Sequence, residues 1–259
     1  MTDNQTVTFH RFETPEFPCD YYQDGRQARF SVARAFSCSQ KTLYDILSLK
    51  GYRRQGTLTY RPVCSGCRSC IASRIPADLF VPNRTMRKVW NRNQDLDVRP
   101  VSRVSDLADE NYDLYKRYEA ARHAGSPMAD YSRSEFFETL FSTNVETLAL
   151  EYRLDGKLVL TAVADLLSHG LSAVYTYFDP GFRQRSLGVF SILKEIEFTK
   201  LMGRNRFLYL GFWLYGYPGM SYKERFTPFE VFWNGEWRPL FDCEDEIRQQ
   251  SAEADAAQK

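Results

Sequence analysis

The run Tyr60-Arg-Pro-Val-Cys-Ser-Gly-Cys-Arg-Ser-Cys-Ile-Ala-Ser-Arg74 sets Cys64, Cys67 and Cys70 three residues apart, half of the six cysteines in a chain of 259 residues. Thiols at that spacing can converge on one ion or cluster if the backbone between them turns tightly, and Gly66 permits such a turn. Cys19, Cys38 and Cys243 are too scattered to suggest a disulfide framework. The three histidines, His10, His123 and His169, stand beside no candidate serine or cysteine in a recognisable motif. The spacing therefore shows no nucleophile–base pair.

A second chemistry is cationic. Arg84-Thr-Met-Arg-Lys-Val-Trp-Asn-Arg92 brings Arg84, Lys88 and Arg92 to one side of a helix, a face that suits phosphates or simply water. The formal charge of +1 hides this, because residues 242–259 carry −4 and leave +5 on residues 1–241. A third candidate is Arg183-Gln-Arg-Ser-Leu-Gly188, which opens a helix. Backbone N–H groups at such a turn can face the phosphate of an acyl carrier, and an ordinary loop capped by Ser186 would read similarly. Tyr175, Tyr177 and Asp179 alternate to one side of a strand-like run. They are candidates for a proton relay, and the same pattern suits core tyrosines and an aspartate closing a turn with Pro180.

These residues must be held by a fold, and a hydrophobic content of 43% is enough for a packed core. The first region, residues 10–98, reads as a strand over 28–36, a helix over 40–49 stopped by Gly51, a hairpin over 52–61 turning at Gly56, the cysteine loop, a short strand over 71–75 and the basic helix over 83–93. The second, residues 99–241, joined near Arg99-Pro100, begins with a helix over 106–121, a polar loop over 123–131 and a helix over 132–141. Ser132 and Glu135 form a capping box for that last helix. Three strand-like runs follow, 147–154, 157–167 and 171–178, joined by short turns as an antiparallel meander. Then come an amphipathic helix over 189–202, with Leu193, Ile196 and Phe198 on its buried side, and an apolar strand over 207–214. The acidic, Ala-rich segment 242–259 is expected to be disordered. The class is mixed α/β, and the second region has the element order of an N-acyltransferase domain of the acetyltransferase superfamily. A polar amino terminus and the lack of a long apolar run predict a cytoplasmic protein without a membrane span.

Several separated motifs stand in one order: Tyr60-Arg61-Pro62, Gly66-Cys67 with Cys70, Arg84 with Arg87, Tyr177-Phe178-Asp179-Pro180, Ser186-Leu187-Gly188, Ser191-Ile192-Leu193 with Glu195-Ile196, and Tyr209-Leu210-Gly211 before Tyr222-Lys223. Together they resemble the arginyl-tRNA–protein transferase family, and within it the bacterial aspartate/glutamate leucyltransferase branch. The resemblance covers nearly all of residues 17–241. It implies an enzyme that takes leucine from leucyl-tRNA and joins it to an amino-terminal Asp or Glu of a protein, a degradation signal in the N-end rule pathway. It also implies that Tyr222 and Lys223 contact the leaving group or ribose. Eukaryotic relatives hold an iron–sulfur cluster on paired cysteines. Here Cys19 stands alone and the second group is spread over Cys64, Cys67 and Cys70, so a cluster, a zinc ion or neither would fit these four thiols.

The implied reaction is aminolysis of an activated ester. A free α-amine titrates near about pH 8, so positioning can supply much of the acceleration and no cofactor is required. An acidic acceptor residue needs a cationic partner, for which Arg61, Arg74 and Arg87 are the candidates. Phe212, Trp213 and Phe226 could line an apolar slot for leucine. Arg84, Lys88, Arg92, Arg183 and Arg185, with Ser186 and Gly188, are the candidates for tRNA. Two rival readings remain on these residues: an acetyl-CoA-dependent N-acetyltransferase, against which the turn at 183–188 lacks a second glycine, and a non-catalytic metal-dependent RNA-binding protein.

Overall fold

The structure, a computed structural model, describes residues 8–22, 24–101, 109–141 and 144–256. Two compact units divide the chain: Met1–Ile75 with Leu210–Lys259, and Pro76–Tyr209. The class is mixed α/β, as expected.

The first unit begins with β1 (Phe9–Glu13), β2 (Phe17–Pro18), β3 (Gln27–Ala28), β4 (Phe30–Ala35), α1 (Gln40–Ser48), β5 (Arg53–Gln55), β6 (Leu58–Pro62) and β7 (Ile71–Pro76). Strands in the order β1-β4-β6-β5 make one antiparallel sheet. The Ser39 hydroxyl accepts the Thr42 N–H and starts α1. Leu43 and Leu47 of α1 then pack on Ala33 and Tyr52.

In the second unit are α2 (Arg84–Arg92), β8 (Asp97–Val101), α3 (Glu110–Arg122), α4 (Arg133–Leu140), β9 (Thr147–Leu154), β10 (Lys157–Leu167), β11 (Gly170–Phe178), α5 (Leu187–Leu201) and the start of β12 (Phe207–Trp213). Strands β8 to β11 pair antiparallel in sequence order, and β12 joins β11 in parallel after the crossover through α5. Side chains alternate across these strands. Leu148, Leu150 and Tyr152 pack with Leu187 and Phe190 of α5. Ala149 packs with Leu114 and Tyr115 of α3 and Phe136 of α4. The expected capping box of Ser132 and Glu135 is formed, and the order from α3 to β12 is the one expected for the second region.

The chain returns to the first unit with β13 (Glu230–Trp233), β14 (Glu236–Pro239) and α6 (Glu244–Ala256). Strand β13 pairs antiparallel with β7 and β14.

Three expectations need correction. Arg99-Pro100 is no linker: it lies inside β8, and the compact units divide elsewhere. Most of the segment expected to be disordered, Glu244–Ala256, forms α6, because Ile247 is buried and Glu246 accepts a 2.8 Å bond from the Trp233 indole; residues 257–259 lie outside the described residues. Helix α5 is not amphipathic. Leu187, Phe190, Ser191, Ile192, Leu193, Glu195, Ile196 and Thr199 are all buried, while Phe198 is only partly so. The helix expected from residue 106 is described from Glu110, and 106–108 lie outside the described residues.

Candidate active site

An open cleft of about 640 Å³ lies in the first unit, among the loop 19–22, strand β6, the cysteine loop and the β13–β14 turn. Apolar surface comes from Tyr60, Phe212 and Trp233, and positive charge from Arg26, Arg61 and Arg68. All four cysteines expected to act together, Cys19, Cys64, Cys67 and Cys70, line it.

The thiols are not arranged as a ligand set. The Cys67 thiol faces the Ser69 hydroxyl at 3.2 Å and the Arg26 guanidinium at 3.9 Å, and Cys64 faces the Arg29 carbonyl at 3.9 Å. Burial, then the neighbouring cysteines, pushes the Cys70 thiol up, and burial also raises Cys64. Among the described residues no group of three or more His, Cys, Asp or Glu side chains could hold a metal ion.

Of the three arginines expected to read an acidic residue, the structure puts only Arg61 on the cleft wall, its guanidinium 5.0 Å from the Tyr52 ring centre. Arg74 is spent on Glu230 at 2.7 Å and lies 4.4 Å over Trp237. Arg87 is an exposed residue of α2, in the other unit, and donates to the Pro82 carbonyl at 2.6 Å. Trp213 and Phe226 are sealed in the core, so of the aromatic trio only Phe212 reaches the cleft.

Lys223 is buried and donates to the Phe212 carbonyl at 2.5 Å. Burial first, and the Arg53 charge second, bring its amine down to about 7. Arg53 comes this close because Gly211, with φ of +78°, has no Cβ: a side chain there would occupy the space of the Arg53 guanidinium. The neighbouring Tyr222 is exposed.

In the second unit, Tyr177 is fully buried and its hydroxyl donates to Asn111 at 2.9 Å. Tyr175 donates to the buried Glu119 carboxylate. Burial pushes both phenols up, with Glu119 adding to Tyr175, so neither yields a phenolate near neutral pH. Tyr177 has the surroundings of a core residue. Burial pushes the Asp179 carboxyl up, but the Gly181 N–H at 2.9 Å and the Lys157 ammonium at 3.0 Å more than offset it and hold it below the usual carboxylate range.

The two basic stretches expected to meet tRNA are brought together. Arg92 of α2 donates to the Gln184 carbonyl, and Asn93 donates to the Arg185 carbonyl at 2.9 Å. Arg84, Lys88, Arg92 and Arg183 are exposed, while Arg185 is half-buried against Asp95. Ser186 takes the left-handed conformation, φ of 54°, and its hydroxyl caps nothing. Gly188 opens α5 beside Phe178. Arg26, Arg53 and Glu119 were missed from the sequence. Isolated charges carry no periodic signal, and only Gly211 hinted at a close approach.

The family profile described as "Arginine-tRNA-protein transferase, N terminus" matches residues 17–88, and the one described as "Arginine-tRNA-protein transferase, C terminus" matches residues 110–233. The chain is 38% identical over 236 residues to the aspartate/glutamate leucyltransferase of Chromobacterium violaceum, covering 91% of this chain and 96% of the relative. It is 39% identical to that of Hahella chejuensis, covering 92% and 99%. It is 41% identical to that of Chromohalobacter salexigens, covering 88% and 91%. Among solved structures, the C-terminal domain of a putative lysylphosphatidylglycerol synthetase from Agrobacterium fabrum aligns with a TM-score of 0.48 at 14% identity, over 73% of this chain and 60% of that one.

Proposed function

The chain belongs to the arginine-tRNA-protein transferase family, and on that premise we propose that it moves leucine from leucyl-tRNA to the amino terminus of proteins beginning with Asp or Glu, marking them for degradation. The α-amine of the acceptor attacks the leucyl ester carbonyl. An amide bond forms, the ester C–O bond breaks, and the ribose hydroxyl leaves with a proton while the amine gives one up. The ester is already activated, so orientation carries most of the acceleration.

The observation that carries this reading is the arginine-bearing, aromatic cleft of the first unit. An acidic side chain loses its hydration in such a place only against a guanidinium. Phe212 supplies apolar wall there for the leucyl group. Lys223 does not line the cleft itself but donates to the carbonyl of Phe212, which does, and with burial bringing its amine down to about 7 it is the candidate proton acceptor. The exposed cations of α2 and the 183–188 turn take the tRNA phosphates. No cofactor enters the reaction. Charged tRNA as donor argues for a cytoplasmic protein. No helix among the described residues is long and apolar enough to cross a membrane.

The test mixes the protein with leucyl-tRNA, arginyl-tRNA and peptides beginning with Asp, Glu, Arg or Ala. Leucine on the Asp and Glu peptides alone is the expected result. Transfer to none of them, or transfer of arginine, would overturn the assignment.

A further inference from the structure

Arg26 is the most deeply held cation of the cleft wall, with a side chain only 5% exposed. Its Nε donates to Asp24 at 2.9 Å, its Nη1 approaches Cys67 at 3.9 Å, and its guanidinium carbon lies 4.0 Å over the Tyr22 ring. The remaining nitrogen, Nη2, donates at 2.6 Å to a carboxylate 229 positions away in the chain, Asp255, at the end of α6. A buried guanidinium built on three sides by its own neighbourhood thus completes its coordination with a carboxylate from the chain's acidic tail.

That fourth partner is the replaceable one. The Asp255 side chain is 60% exposed, so leaving Arg26 returns it to water at little cost. Helix α6 keeps its seat without it, because Ile247 is buried and Glu246 holds Trp233 at 2.8 Å and Arg238 at 3.4 Å near the other end. Asp24, Cys67 and Tyr22 are the other charged or titratable groups facing this corner.

We propose that Arg26 is the specificity-determining residue that receives the acidic side chain of the acceptor protein, and that Asp255 occupies it as an internal stand-in which the acceptor must displace. The tail is then a competitive, tethered brake on acceptor binding, its carboxylate supplied at the high effective concentration of a short tether. This rests on the proposed function only for the identity of the acceptor. The chemistry, a carboxylate exchanged on a buried guanidinium, stands by itself.

The experiment uses the full chain and its Asp255→Asn variant, measuring binding of a fluorescent Asp-initiated peptide without tRNA, and transfer kinetics with leucyl-tRNA. In the variant we expect peptide binding about fivefold tighter and the peptide KM lower by the same factor, with kcat unchanged. An Ala-initiated peptide gains nothing. Arg26→Lys, which keeps the charge and loses the fork, weakens binding of the Asp peptide in both backgrounds. Because Arg26→Lys could unfold the unit, its melting temperature is measured first, and the Asp255→Asn comparison carries the decision if it fails to fold. Unchanged peptide affinity in Asp255→Asn overturns the proposal. If wild type binds the Asp peptide, gains on Asp255→Asn, and yet transfers no leucine, the carboxylate site stands and the proposed function falls.

Discussion

Arg185 grips Asp95 through two N–H···O bonds of 2.8 Å, one from each terminal nitrogen. This bidentate pair ties the turn before α5 to the loop after α2, and it draws the Asp95 carboxyl below its usual range. Arg183, two residues earlier, is exposed at the same turn. Of two arginines that look equivalent in sequence, Arg185 is spent on structure and Arg183 faces solvent.

The two substitutions should therefore part company. Arg183→Glu is expected to melt like wild type, within about 0.5 kcal/mol, while cutting transfer at least about tenfold and flattening the salt dependence of tRNA binding. Arg185→Ala should lose up to about 1 kcal/mol of stability, because the half-exposed Asp95 leaves the pair open to solvent on one side. Thermal melts beside salt titrations of tRNA binding check this. Equal loss of folding in both variants would show that Arg183 is not a nucleic-acid contact.

Glu195 makes stability depend on pH. Neither carboxylate oxygen has a hydrogen-bond partner among the described residues, and burial in the packing of α5 pushes its carboxyl up to about 8. Between the ordinary value of 4.5 and about 8, the folded chain keeps a proton that the unfolded chain has lost. Stability from this group is thus full below pH 4.5 and declines as pH rises to about 8. Glu195→Met should be more stable than wild type at pH 8.5 by up to about 4 kcal/mol, with the gap closing toward pH 5. Urea unfolding at pH 5, 7 and 8.5 measures it, and parallel curves for the two proteins would refute the buried neutral acid.

Much of this layout was legible in the sequence where periodicity and turn chemistry speak locally. The meander 147–178 was readable because Asp155-Gly156 and His169-Gly170 mark its turns, α1 because Gly51 stops it, and α4 because Ser132 and Glu135 make its capping box. Strand β8 was hidden by Pro100, whose missing N–H is tolerated at a sheet edge. Helix α6 was hidden by its composition, since a single buried Ile247 anchors it. At the site, Arg61 and the α2 cations were identifiable from motif and spacing. Arg26 and Arg53 were not, because what distinguishes them is a partner far along the chain: Asp255 for one, Gly211 for the other.

Lys223 has the opposite pH signature to Glu195. With its amine brought to about 7 by burial, the unfolded chain holds a proton that the folded chain lacks between about 7 and 10.5, so this contribution to stability rises with pH across that window and is lost as pH falls to about 7. Lys223→Arg forces a permanent charge into the same place and should cost about 3 kcal/mol or more. Lys223→Met should fold and bind the acceptor peptide, yet slow transfer about a hundredfold and abolish the rise of kcat through pH 7. A pH profile of single-turnover transfer decides the matter. Full activity in the methionine variant would leave Lys223 a buried structural amine.

The cysteine loop supplies the last prediction. Cys64 and Cys70 carry thiols that burial holds protonated, and the Cys67 thiol faces the hydroxyl of Ser69, two residues on in the same loop. If their part is to shape the cleft wall, chelator treatment should leave leucine transfer unchanged. Cys67→Ser and Cys64→Ser should then retain it within about threefold, since serine keeps a hydroxyl of similar reach at each place. Cys70→Ser is the exception: the cysteine packs with Ala72, Phe212 and Leu214, and a hydroxyl in that apolar place should cost about 1–3 kcal/mol of stability. Metal analysis of the purified protein, run beside chelator-treated transfer assays, checks the set. Stoichiometric zinc or iron, together with activity lost on chelation and restored by the metal, would show that the thiols rearrange into a ligand set.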